Sequence, residues 1–276
     1  MIFDLYRIKL LEETQPTLPF DELGNDRSSL LKQVIDSEPE ENDKRQKWKL
    51  GKYSRIDSNA YHVKIGRNAT AHRPTFKDGD FLDQESENSP YTHIVIDTEI
   101  EVVAIAQRPE LARKTSTIAA QFIKLISQSE LIKMRKLDIQ ISAIPDPRTF
   151  LESISDAYAI TTFSFTATRP NPFDANKYIQ KPVQEVVKKT DGKEAKLTIK
   201  GDSLTSEVLE EITKAVAASG DNATAKIIPS KGTPPTSKHL SGSQATISQI
   251  SMEGIDDWNN FIEKLRRRYA SIRNGH

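Results

Sequence analysis

The chain has 276 residues, with Lys+Arg and Asp+Glu balanced at 39 each, and it contains no cysteine. Zero formal charge argues against a strong field over the whole molecule, and the missing cysteine excludes disulfides, thiolate metal sites and thiol catalysis. Hydrophobic residues make up only 36%, but they gather in short Ile, Val, Leu and Phe runs between polar turns, which predicts a globular core rather than a disordered chain.

Residues 2–11 read as a first strand. Leu30, Leu31, Val34 and Ile35 have the spacing of a helix face, and Glu38 to Arg45 reads as a charged loop. Lys47-Trp48-Lys49-Leu50 and Tyr61-His62-Val63-Lys64-Ile65 alternate basic and apolar residues, which predicts two strands with one apolar and one basic face. Asn68 to Pro90 lacks periodicity and is expected to be a long exposed loop. His93–Asp97 and Glu101–Ala106 flank Thr98-Glu99 as a buried hairpin. A helix follows to about Ser127, with Ile118, Phe122, Leu125 and Ile126 as its buried stripe.

In the second half, Leu137, Ile139 and Ile141 predict a strand, and Pro145-Asp146-Pro147 starts a short helix through Ile154. A β-rich run covers Ile160 to Thr168. A helix entered near Asn171 is kinked or restarted by Pro182. Leu197 and Ile199 mark a strand, Leu209, Ile212 and Val216 a helix closed by Gly220, and Ala225 to Ile228 another strand. Ser230 to Ser243 reads as a flexible loop and Ile247 to Ile250 as a last strand. Trp258, Phe261, Ile262, Leu265, Tyr269 and Ile272 then form the apolar stripe of a terminal helix, with acids at its start and arginines toward its end. The expected class is α+β. Residues 1–130 form a mostly antiparallel sheet with two helices, and residues 131–276 alternate strands and helices up to the amphipathic terminal helix.

No run approaches the roughly 18 apolar residues of a membrane span. Met1 to Arg7 is too often charged for the core of a signal peptide. The expected compartment is the cytoplasm, where the sequons at Asn68 and Asn222 have no meaning. Motifs for phosphate-binding loops, dinucleotide folds and nucleophile elbows are missing. Lys231-Gly232-Thr233-Pro234-Pro235 lacks the backbone N–H groups a phosphate cradle needs. The histidines, at 62, 72, 93, 239 and 276, show no triad or metal spacing. No catalytic residue, metal site or cofactor is predicted.

The charges are nevertheless blocked. Lys44 to Lys77 holds ten bases and one acid, Asp57, while Asp78 to Glu101 holds eight acids and no base. From Arg108 to Lys136 bases again dominate, seven to two. A row of cations at strand spacing can follow a phosphate backbone without reading bases. The candidate nucleic-acid contacts are therefore Lys47, Lys49, Lys52, Arg55, Lys64 and Arg67, with Trp48, Tyr53 and Tyr61 nearby. The competing reading is a solvated sheet face whose lysines blunt an edge. Two other functions stay open. Asp78, Asp80 and Glu194 could serve a Mg²⁺-dependent nuclease, Glu194-Ala195-Lys196 resembling half of a restriction-type site. The terminal helix, with Arg266-Arg267-Arg268, could instead dock a protein partner.

Pro90-Tyr91-Thr92-His93-Ile94-Val95-Ile96-Asp97 through Ala104-Ile105-Ala106 resembles the central hairpin of a bacterial family of unknown function associated with phage-defence loci. Arg169-Pro170-Asn171-Pro172, after the strand from Ile160, has a similar place there. More remotely, the length and order of elements are similar to the RexA-type exclusion proteins of lambdoid prophages. The resemblance rests on rhythm and implies a homodimer, sequence-independent binding of duplex DNA and a role in abortive phage defence. The function expected is that of a non-enzymatic DNA-binding component of phage exclusion, with a protein partner from the same defence locus as a further expectation.

Overall fold

In the computed structural model, residues 1–12, 27–37, 48–77, 79–168, 180–190, 192, 194–249 and 255–274 are described. In chain order the elements are β1 (Ile2–Glu12), α1 (Arg27–Asp36), β2 (Trp48–Leu50), β3 (Ser54–Arg55), β4 (Ala60–Arg67), β5 (Ala69–Lys77), β6 (Asp80–Asn88), β7 (Tyr91–Asp97), β8 (Val102–Ala106), α2 (Thr115–Ile126), α3 (Glu130–Met134) and β9 (Leu137–Ala143). There follow α4 (Arg148–Ser155), β10 (Ala159–Thr168), α5 (Gln180–Lys189), β11 (Glu194–Lys200), α6 (Ser206–Ala218), β12 (Ala223–Ile228), β13 (Thr236–His239), β14 (Thr246–Ser248) and α7 (Ile255–Asn274). The fold is α+β, as the sequence predicts.

Alternation along β1 organises the molecule. Tyr6, Ile8 and Leu10 point to one face of the main sheet, Phe3, Leu5, Arg7 and Lys9 to the other. The sheet runs β14-β1-β8-β7-β4-β2, with β3 beside β4 and β9 also beside β1. One edge of β1 is shared by two strands. Ile2 to Asp4 pair with β14, and Tyr6 to Glu12 pair with β9. At the gap, the Leu5 N–H donates to the Ala245 carbonyl and the Leu5 carbonyl accepts from the Ile144 N–H, both at 2.9 Å. The main sheet's ladder thus crosses the boundary expected at residue 130.

The Tyr6 face is covered by α1, α2 and α3. Leu31, Val34, Ile35, Ile118, Phe122 and Ile126 pack there against Val63, Ile65, Ile94, Val103 and Ile105. The opposite face is covered by α7, with α4, α6 and the second sheet, β11-β10-β12-β13, behind it. Phe261 of α7 is fully buried, its ring 4.5 Å from that of Phe3. Truncating such a ring to alanine costs about 3–5 kcal/mol.

Ion pairs fix the register of α7. Arg266 bonds Asp97 at 2.7 Å and Asp57 at 3.0 Å, and Arg268 bonds Asp146 at 2.7 Å. Arg7, buried on the sheet, donates to Glu101 at 2.8 Å and to the Tyr269 hydroxyl at 2.7 Å. The terminal stripe and two of the three consecutive arginines are therefore engaged by the chain's own core. Only Arg267 is exposed, paired with Glu263.

Two segments differ from the sequence expectation. Ala69 to Asn88, expected as a loop, is a two-stranded ribbon in which β5 and β6 pair only with each other. Its sequence carries no period-two alternation of apolar residues, so the two strands leave no local signal. Thr236 to His239, inside a second expected loop, forms the edge strand β13, whose four residues are all exposed.

Candidate nucleic-acid interface

Lys47 lies outside the described residues. The other five predicted contacts do not form one row. Lys49 and Lys64 do share a face, because Lys49 pairs with Gly66 and Lys64 lies two residues before it on β4. Lys64 is exposed, its Nζ 4.8 Å from the centre of the Tyr91 ring. Lys52 is exposed just beyond β2. Arg67 pairs with Trp48 across the ladder and turns to the opposite face, its guanidinium 5.9 Å from the indole centre. Arg55 sits at the other end of β4 and is used locally, donating to the carbonyls of Asp57 at 2.9 Å and Ser58 at 3.1 Å. It closes a turn beside Asp57 and Glu99 and does not belong with the lysines.

The face carrying Lys49 and Lys64 is not a free outer face, because it is the side on which α7 lies. His62 stacks on Trp258 at 4.0 Å and shares a 2.9 Å hydrogen bond, Nε2 to Nδ1, with His93. Burial, then His93 and Lys64, push the His62 imidazole down to about 4. His93 is also lowered, by burial, Lys64 and Arg108. Both rings are thereby held neutral near pH 7, which leaves the lysines as the cations of this surface.

Register shows what joins them. Lys64 is opposite His93, Gly66 is opposite Tyr91, and the Thr92 hydroxyl donates to the carbonyl of Ala106, the residue two before Arg108. The end of β4, the starts of β2 and β7 and the end of β8 therefore lie along one end of the sheet, spanning roughly 14 Å at about 4.8 Å per strand. That end carries Lys49, Lys64, Arg67 and Arg108, with Tyr91 exposed between them. The opposite end carries Asp57, Asp97, Glu99 and Glu101. Three of these acids are already paired, Asp57 and Asp97 with Arg266 and Glu101 with Arg7. Sequence reasoning missed Arg108 and Tyr91, although Arg108 opens a basic block visible in the sequence.

Beside Arg108 the surface opens into a cavity of about 300 Å³, lined by Asp4, Tyr6, Gln107, Arg113, Lys114 and Thr115 among others. Asp4 is 8% exposed. It accepts from Gln107 Nε2 at 2.8 Å and from the Thr115 hydroxyl, which also bonds the Tyr6 hydroxyl at 2.7 Å.

The acids proposed for a nuclease are not assembled among the described residues. Asp78 lies outside them. Asp80 is exposed at the start of β6 and accepts from the Phe81 N–H at 2.8 Å, whereas Glu194 begins β11 in the second sheet. No group of three or more His, Asp or Glu suited to a metal ion occurs among the described residues.

A family model of a domain of unknown function, DUF4747, matches residues 8–233, from within β1 to the turn after β12. The chain belongs to the DUF4747 family. A search of curated proteins finds no significant match. The DUF4747 match includes the cationic strand ends and Arg108 to Thr115 but not α7. No helix among the described residues is long and apolar enough to cross a membrane.

Proposed function

We propose that this DUF4747 chain is a non-enzymatic nucleic-acid-binding protein that holds duplex DNA by its phosphates at the cationic end of the main sheet. The supporting observation is the gathering of Lys49, Lys64 and Arg108 on adjacent strand ends. Lysines on strand ends contact phosphates rather than base edges, so binding is independent of sequence. Tyr91 gives a flat face beside the cations on which an unpaired base could stack. A role in phage exclusion rests only on the resemblance of the Pro90 to Ala106 hairpin, of Arg169 to Pro172 and of the order of elements. Gel shift with duplex DNA, single strands and RNA at two salt concentrations tests the reading. Duplex binding that weakens steeply with salt supports it, and no binding to any of the three at low salt refutes it.

A homodimer has its own supporting observation. At the tip of the ribbon, Phe76 and Phe81 are 65% and 74% exposed, with ring centres 4.9 Å apart. An isolated two-stranded ribbon is marginal in water, so this tip favours a covered position.

A further inference from the structure

The cavity between β1 and the start of α2 contains a buried carboxylate bonded only by neutral groups. Asp4 is more than nine-tenths buried, and its bonds come from the Gln107 amide and the Thr115 hydroxyl. Burying a carboxylate without a cationic partner is costly. Each of its oxygens has room for a second donor, and Asp4 lines the open cavity. At the mouth stand Arg108, Arg113 and Lys114, all exposed. Arg108 is partly occupied by Glu110 at 3.1 Å, which leaves Arg113 and Lys114 as the cations directed to solvent. A ligand that satisfies both layers has an N–H donor at one end and more than one negative charge at the other. Tyr6, Pro109 and Ala112 give the walls apolar surface for a flat ring. A volume of about 300 Å³ is at the small end of ligand sites and admits one small molecule.

We infer that this cavity binds a nucleoside phosphate, the base donating N–H to Asp4 and the phosphate meeting Arg113 and Lys114 at the mouth. Two solvent-facing cations at the mouth, Arg113 and Lys114, favour a phosphate over a single carboxylate, and the depth of Asp4 requires the donor to lie on the inserted end. The same chemistry is offered by a free mononucleotide and by the terminal nucleotide of a strand. Because the Lys49 and Lys64 surface is separate, the site can exist whether or not duplex DNA binds there.

The test is calorimetric titration of the full chain with AMP, GMP, adenosine and ribose 5-phosphate, and with short single strands carrying a 5′-phosphate or a 5′-hydroxyl. AMP or GMP is expected to bind at least tenfold more tightly than adenosine and ribose 5-phosphate, which each lack one half of the contacts. A terminal nucleotide as the natural ligand adds a preference for the 5′-phosphorylated strand, and equal binding of the two strands assigns the site to free nucleotides. Arg113→Ser with Lys114→Ser, both on exposed positions, should weaken the mononucleotide at least tenfold, whereas Lys49→Gln with Lys64→Gln should not. Asp4→Asn should remove the preference of AMP over ribose 5-phosphate. If that variant does not fold, the comparison of ligands on the wild-type chain carries the same information. The inference is overturned by mononucleotide binding that is undetectable at millimolar concentration, unchanged in the Arg113/Lys114 variant, or matched by ribose 5-phosphate. Loss of mononucleotide binding with duplex binding intact removes this site alone, and the reverse removes only the duplex reading.

Discussion

Acid should loosen the contact between the terminal helix and the main sheet, because the His62–His93 pair under Trp258 must stay neutral. The ordinary imidazole value is about 6.5, and the fold lowers that of His62 to about 4, by burial and then by His93 and Lys64. The unfolded chain therefore binds the proton more readily than the folded one. The stabilisation is fully present above about pH 6.5 and is lost as pH falls toward 4. A displacement from 6.5 to about 4 corresponds to at most about 3.4 kcal/mol at 1.36 kcal/mol per pH unit. His62 is only partly buried, and solvent screening reduces this to about 1–2 kcal/mol. The chain has two tryptophans, so a Trp48→Phe background makes Trp258 the sole indole reporter. Urea melts followed by Trp258 fluorescence at pH 7.5 and pH 5 should differ by about 1 kcal/mol or more, with the lower stability at pH 5. His62→Phe, which keeps a ring against Trp258, should flatten this dependence. An unchanged pH dependence in His62→Phe would show that other groups cause it.

Other consequences follow from the same packing. Arg7→Met removes the guanidinium that bonds Glu101 and Tyr269, and a buried charge stripped of its partner costs about 3–5 kcal/mol. Adding Glu101→Leu should restore part of that loss in a denaturant melt. Gly66→Ala should destabilise by about 1–3 kcal/mol, because a Cβ there would meet the Pro90 carbonyl oxygen at 2.9 Å and the Tyr91 Cβ at 3.0 Å. Phe76→Ser with Phe81→Ser should convert a dimer to a monomer in light scattering, and an unchanged mass would remove the ribbon tip from the interface.

The parts of the fold that carry a repeating apolar signal were legible in the sequence. The alternation from Tyr61 to Ile65, the dense runs in β7 and β8 and the stripe of α7 each mark one buried face. The pairing of β1 with β9 and β14 was not legible, since backbone hydrogen bonds between distant segments leave no pattern in the side chains. The ribbon from Ala69 to Asn88 was missed because its sequence carries no period-two alternation of apolar residues. For the site, alternation placed Lys49 and Lys64 together correctly but gave their face to solvent. Trp258 arrives on that face from the far end of the chain, and no local rule brings it onto His62. Arg55 and Arg67 were grouped by proximity in sequence, while a turn and a change of face separate them from the lysines. The cavity needs Asp4 from β1 beside Arg113 and Lys114 from the entry to α2, a meeting that only the tertiary fold creates.

The central claim is that the cationic end of the main sheet contacts phosphates, and the salt dependence of duplex binding tests it most directly. Each phosphate neutralised adds about 0.9 to the slope of log K against log salt. Replacing Lys49, Lys64 and Arg108 with glutamine should therefore make that slope shallower by about 2.7 and weaken binding equally on unrelated sequences. A slope and affinity unchanged from wild type would contradict the claim and place any DNA contact elsewhere on the molecule.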